Sequence, residues 1–187
     1  LKKYTVDEIK FFLKAMDRFT TQKCKIIIIG GSAAALAYNV TTATQDIDSY
    51  NSINAAKEAY DKAKKETGLN IPFTKASVSD GPYFFEDRLI DFEPESFKNI
   101  KLQIPEVIDL ILMKTVRGFE NDIIAIEQMI ENQKVKLKDL IDRYTKEMGS
   151  VVVISKDKLD LNFLVIVERC YGAVAAQKVQ TLIGYKP

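Results

Sequence analysis

The chain has 187 residues, 47% of them apolar and 28% charged, and its net charge is +1. That length suits one core with room for an extension, and the near-neutral charge gives no global field calling for nucleic acid or an anionic membrane. Histidine is absent, which excludes histidine general bases, the hydrolase triads built on one and histidine-ligated zinc; a metal here must sit on carboxylates, which suits Mg²⁺ or Mn²⁺.

Thr5-Val6-Asp7-Glu8 reads as a capping box, and Ile9, Phe12, Leu13 and Met16 recur at helical spacing, so residues 5–19 are expected to form an amphipathic helix. Ile26 to Ile29 is a continuous β-branched run, the pattern of a strand buried on both faces. Gly30-Gly31 breaks it, and the alanine-rich stretch from Ser32 to Tyr38 reads as a short helix starting at the serine. Asp46-Ile47-Asp48 falls in a second strand, and a helix capped by Ser52 carries Ile53, Ala56, Tyr60 and Ala63 on one stripe and ends at Gly68.

Between residues 71 and 104, Phe73, Tyr83-Phe84-Phe85, Arg88 to Phe92 and Ile100 to Ile104 read as short strands separated by turn residues such as Asp80-Gly81-Pro82. After Pro105 the chain turns helical. Val107–Val116 and Ile123–Ile130 flank Gly118; further helices are expected at about 135–147, 158–171 and 173–182, and Val151 to Ile154 reads equally as a linker or a strand. The layout is α/β (α+β), with an α/β core over 1–105 and a helical region over 106–187.

Cys24 and Cys170 have no partner at CxxC spacing and read as free thiols in a reducing cytoplasm. No apolar run approaches the roughly 20 residues needed to span a bilayer. Leu1-Lys2-Lys3 leads into an amphipathic helix rather than a signal peptide. The expectation is a cytoplasmic protein.

The chemistry concentrates at the front. Side chains two apart on a strand share a side, so Asp46 and Asp48 project together while Ile47 points inward. Two carboxylates held that close repel each other unless a cation lies between them, and aspartate is disfavoured in strands. Nucleotidyl transfer needs such a pair, because two metal ions about 4 Å apart stabilise the attacking and leaving oxygens. A third carboxylate usually comes from a neighbouring strand: Asp91 is the candidate, with Glu93 in reserve. Gly30-Gly31-Ser32 supplies the phosphate side, with glycines permitting close approach, a helix N-terminus offering N–H groups, and the Ser32 hydroxyl as a donor.

Gly31-Ser32, thirteen residues, then Asp46-Ile47-Asp48 resembles the pattern of the DNA polymerase β-like nucleotidyltransferase superfamily. The wording GGSAAALAY and TQDID looks most like its uncharacterised prokaryotic branch related to abortive-infection and toxin–antitoxin nucleotidyltransferases. Pro105 to Lys114, with Asp109, looks like that branch's helix with a spaced Asp and Lys, and Arg117 and Asn121-Asp122 like its following Arg and Asp motif. The likeness covers about residues 20–131 and leaves the rest unassigned. It implies metal binding by Asp46 and Asp48, triphosphate binding by Gly31 and Ser32, and active-site places for Lys114 and Asp122. Lys114, Arg117 and Asn121 also share a helix face if Gly118 does not break the helix. Ser49 departs from the pattern, which usually has an apolar residue there.

A dinucleotide-binding fold is the first rival, but Ser32 and Ala35 stand at its second and third glycine positions and strand and helix do not go on alternating. No P-loop motif is present. The second rival is a catalytically inactive nucleotidyltransferase-like binding or antitoxin module, whose partner would dock on the C-terminal helices through Phe163, Leu164, Val167 and Tyr171; the plainer reading of that stripe is packing on its own core. The expectation is therefore a nucleotidyltransferase fold that moves an NMP from an NTP to an acceptor hydroxyl on a tRNA, a protein or a small molecule. Asp46, Asp48 and Asp91 hold Mg²⁺ (or Mn²⁺), Gly30, Gly31 and Ser32 hold phosphates, and Lys114, Arg117 and Asp122 serve the triphosphate.

Overall fold

The computed structural model describes residues 2–41, 44–76 and 80–186. The chain divides into two compact units. The first comprises Leu1–Ala37, Thr41–Ser77 and Leu89–Pro105; the second comprises Tyr38–Val40, Val78–Arg88 and Glu106–Pro187.

The first unit holds a five-stranded mixed sheet. In chain order its elements are α1 (Val6–Phe19), β1 (Cys24–Ile29), α2 (starting at Gly30 and ending at Tyr38 of the second unit), β2 (Ile47–Ser49), α3 (Lys57–Thr67), β3 (Phe73–Lys75), β4 (Ile90–Asp91) and β5 (Ile100–Ile104). The strand order is β3-β2-β1-β5-β4. β1 is central, antiparallel to β2 and parallel to β5, which explains why Ile26 to Ile29 are all buried. Helix α1 begins with the expected capping box: Thr5 Oγ1 accepts from the Glu8 N–H, and Glu8 returns the bond to the Thr5 N–H. Its buried face, Ile9, Phe12, Leu13 and Met16, packs on α3, with Phe12 edge-on to Tyr60. Each such side chain stabilises the unit by roughly 2 kcal/mol relative to exposure.

Further along α1, the buried Asp17 carboxylate accepts N–H bonds from Lys98, Asn99 and Ile100 at 2.7–2.9 Å, and so fixes the start of β5. α3 is preceded by a 3₁₀ turn over Asn54–Ala56 and ends at Gly68 in the left-handed conformation, as the sequence predicts.

The second unit is helical: α4 (Val107–Arg117), α5 (Glu120–Gln133), α6 (Leu137–Glu147), α7 (Lys156–Tyr171) and α8 (Ala173–Ile183). α7 packs against α4, α5 and α8. Phe163, Leu164 and Val167 are buried in this core, and Phe163 stacks on Tyr144 at 3.8 Å between ring centroids. Those three side chains are thus occupied by their own unit, while Tyr171 is half-buried and donates its hydroxyl to the Val135 carbonyl.

One local expectation gives way, and two readings left open by the sequence are decided. Tyr83 to Phe85 form no strand: Pro82 starts a turn closed by the Phe85 N–H on its carbonyl, a 3₁₀ segment runs over Phe85–Arg88, and Tyr83 and Phe84 lie exposed. Val151 to Ile154 form no strand either, since the N–H groups of Val152 and Val153 are taken by one Asp80 carboxylate oxygen. Gly118, at φ +62°, ends α4, so Asn121 lies on α5 and shares no helix face with Lys114. No helix among the described residues is long and apolar enough to cross a membrane.

Candidate active site

The glycine turn and the acidic strand meet in the first unit. The register sets Ile29, the last residue of β1, opposite Asp48 of β2. The next residue, Gly30, has φ +69°, and a Cβ built on it would lie 2.8 Å from Asp48 Oδ2. The backbone angle calls for glycine there, and any Cβ would oblige the Asp48 carboxylate to shift. A Cβ on Gly31 would lie 3.4 Å from Thr44 Oγ1, and that hydroxyl donates to the Asp46 carbonyl at 2.9 Å. The two glycines therefore let the turn close onto the segment that bears both aspartates. Thr42 and Ala43 of the spacer lie outside the described residues.

Asp46 stands one residue before β2, half-buried, with fully buried Ile47 between it and Asp48. Asp48 Oδ1 accepts from Thr74 Oγ1 of β3 at 3.3 Å. Ser49, the departure from the family pattern, is wholly buried and satisfied: its hydroxyl donates to the carbonyls of Asn51 and Thr74. Helix α2 starts at Gly30 and not at Ser32. Ser32 is 1% exposed and its hydroxyl donates to the Ile29 carbonyl, so what the turn offers an anion is the first-turn N–H groups of α2, not that hydroxyl.

Asp91 is not brought to this pair. It lies on β4 at the edge of the sheet, and β1 and β5 stand between β4 and β2, about 14 Å across three strand spacings. There the Gln103 amide donates to it at 2.7 Å and Lys101 pairs with it at 3.3 Å; these partners hold its carboxyl below the usual range. Glu93 is engaged by Lys10 and Lys14 of α1. Directly opposite Asp48 on β3 stands Thr74, where a neighbouring strand would supply the third carboxylate. Among the described residues no three Asp, Glu or Cys side chains are grouped to hold a metal. The oxygen donors of Asp46 and Asp48 beside a glycine cradle nonetheless suit Mg²⁺, which commonly takes one or two carboxylates and completes its shell from water and substrate phosphates.

In the second unit, the α4–α5 reversal builds a compact ionic cluster. A Cβ on Gly118 would collide with the Asn162 amide, which donates to the Thr115 carbonyl at the end of α4. The tight turn returns Asp122, in the first turn of α5, onto α4. Its carboxylate accepts from Lys114 Nζ at 3.1 Å and from Arg117 Nε at 2.7 Å and Nη2 at 2.5 Å. Burial pushes the Asp122 carboxyl upward, but Arg117 and Lys114 outweigh it and hold it below its ordinary value. Lys114 and Asp122 are buried, whereas the Arg117 side chain is 56% exposed.

A second network of this unit was not read from the sequence. Asp109 is not a surface carboxylate: it is 0% exposed, held by Arg88 Nε and Nη2 at 3.0 and 2.9 Å and by Arg143 Nη1 at 3.1 Å. Arg88 also grips Glu147 at 3.0 and 2.7 Å, and Arg143 pairs with Glu106. The Asp109 hydrogen bonds lead in raising the Arg88 value. Burial, and then Glu106 and Asp109, push the Tyr38 hydroxyl well above its ordinary value. The one signal in the sequence was the spaced Asp109 itself; its partners lie 21 and 34 residues away. Cys24 and Cys170 are free and half-buried, and burial raises both thiols, Cys170 to about 11, which keeps them un-ionised at neutral pH.

No curated protein and no solved structure matches the chain at a significant level. Residues 7–171, most of the chain, match a family described as a nucleotidyltransferase of unknown function. With its glycine turn closed on an aspartate-bearing strand, this chain belongs to that nucleotidyltransferase family, DUF6036.

Proposed function

We propose that the chain transfers a nucleoside monophosphate from an NTP to an acceptor hydroxyl with release of pyrophosphate, and that it is a cytoplasmic member of the polymerase β-like superfamily, in the branch related to abortive-infection and toxin–antitoxin enzymes. The observation that carries this reading is the approach of Gly30 to Asp48, where the absent Cβ lets the phosphate-binding turn and the carboxylate share one place. Asp46 and Asp48 would hold Mg²⁺ (or Mn²⁺), which when bound withdraws charge from the phosphoryl oxygens. The first-turn N–H groups from Gly31 and Ser32 onward bind triphosphate oxygens. The acceptor hydroxyl gives up its proton to solvent as its oxygen attacks the α-phosphorus in line, and the bond from that phosphorus to the α,β-bridging oxygen breaks to release pyrophosphate. Lys114, given an active-site place by the resemblance, and Arg117 would neutralise the phosphate charge that develops, with Asp122 fixing both heads.

Asp91's place on β4 favours a second reading, in which the fold is catalytically inactive and serves as an antitoxin or binding module. The acceptor in the first reading is a tRNA, a protein or a small molecule. A single experiment separates the two. Calorimetric titration of each NTP with and without Mg²⁺, on wild type and on Asp46→Ala/Asp48→Ala, should show metal-dependent binding that the double variant loses while its circular dichroism is unchanged. Labelled NTP is then incubated with cell extract: label in an acceptor supports transfer, and tight binding without any transfer supports the module. Absence of binding to all four NTPs sinks the first reading and sends the search toward a protein partner.

A further inference from the structure

Strand register places two lysines in an unfavourable position. Lys25 of β1 stands directly opposite Lys101 of β5, and like charges at such a pair repel. Two more lysines join them: Lys23 precedes β1 and Lys98 precedes β5. All four line one groove of about 590 Å³, and Asp91 is the one carboxylate among the lining residues. Lys101 is paired with Asp91, while Lys23, Lys25 and Lys98 make no salt bridge among the described residues. The groove thus concentrates four positive charges against one negative in a chain whose net charge is +1.

It is also a built feature. Asp17 takes the N–H groups of Lys98, Asn99 and Ile100, and the Asn99 carbonyl accepts from the Cys24 N–H at 3.0 Å. The turn bearing Lys98 is therefore pinned to the start of β1, beside Lys23 and Lys25. By register Lys25, Lys101 and Asp91 share a sheet face with Asp48, but Ile27 and Ile29 lie buried between Lys25 and the Asp48 position. The groove is accordingly separate from the aspartate pair.

We propose that this groove binds the phosphodiester backbone of a single-stranded nucleic acid. Flexible ammonium groups spaced along a channel suit a repeating phosphate charge. Phe97, the aromatic side chain in the lining, is buried and offers no face for base stacking, so the contact reads backbone and not sequence. The volume of about 590 Å³ suits a short stretch of one strand.

The test is fluorescence anisotropy of a short labelled oligouridylate with the full chain, over a series of salt concentrations and without NTP or metal. Wild type is compared with Lys23→Gln/Lys25→Gln/Lys98→Gln/Lys101→Gln and with Lys65→Gln/Lys138→Gln/Lys146→Gln/Lys158→Gln, which removes the same charge from other exposed positions. The groove variant should lose affinity by about tenfold or more and flatten the salt slope by roughly 2 to 3, at about 0.7 per phosphate contact, and the control should do neither. Lys25→Arg/Lys101→Arg should keep binding, which separates lost charge from lost fold. Equal losses in both quadruple variants, no binding by wild type, or equally tight binding of polyglutamate would overturn the proposal, the last in favour of an acidic protein. Asp46→Ala/Asp48→Ala should bind the oligonucleotide as wild type does, so that failure at the nucleotide site and failure at the groove are read independently.

Discussion

Gly30 and Gly68 adopt nearly the same backbone angle, φ +69° and +67°, yet only Gly30 faces a side chain within 4 Å of its would-be Cβ. Alanine at either position meets the left-handed penalty of about 1 kcal/mol or more. Gly30→Ala must also displace Asp48. Thermal unfolding should therefore fall modestly in both variants, while metal-dependent NTP binding fails in Gly30→Ala and survives in Gly68→Ala; loss in both would mean that strain alone disables the site. Asp122 permits a similar argument from charge. Its folded carboxyl titrates below its ordinary value of 3.8, so its stabilisation is complete above about pH 4 and is lost as the pH falls through the lowered folded value. Asp122→Asn leaves the buried Lys114 ammonium without its carboxylate and should destabilise by about 3 kcal/mol at neutral pH. In denaturant titrations that gap should narrow below about pH 4; a gap that widens in acid would count against the ion-pair account.

At the scale of elements, Arg88 joins the 3₁₀ segment Phe85–Arg88 to α4 through Asp109 and to α6 through Glu147. Arg88→Ala should destabilise by about 3 kcal/mol, because Asp109 is then left buried with Arg143 alone; Arg88→Lys should recover only part, since an ammonium cannot bridge two carboxylates in the same fork. An equilibrium loss under about 1 kcal/mol by chemical denaturation would show the network to be decorative. Elements of this kind also show what could be read beforehand. The capping box at Thr5 and Glu8, the isoleucine run of β1 and the glycine end of α3 were legible because each is set by neighbours in sequence. Tyr83 to Phe85 and Val151 to Ile154 carry strand residues but no partner strand: Glu147 takes the N–H groups of Tyr83 and Phe84, the Pro82 carbonyl takes that of Phe85, and the Asp80 carboxylate takes those of Val152 and Val153. The placement of Asp91 was illegible for a related reason: its local wording suits a metal strand, but which strand neighbours β2 is decided by sheet order.

For the whole molecule, what escaped the sequence is what distant segments make together. Lys23 and Lys25 form no basic cluster by themselves, nor do Lys98 and Lys101; the parallel pairing of β1 with β5 makes one groove of them. The family match over residues 7–171 supplies the activity class, and the approach of Gly30 to Asp48 is the place proposed for it. The Arg88 bridge has a further consequence, in time. Asp109 follows Arg88 by 21 residues and Glu147 by 59. At synthesis rates of about 5–20 residues per second, Arg88 is translated on the order of 3–12 s before Glu147 exists to receive it. The segment ending at Arg88 is made ahead of the last strands of the sheet unit yet belongs to the helical one. Its Asp109 contact becomes available with α4, and only the Glu147 contact waits until α6 has left the ribosome.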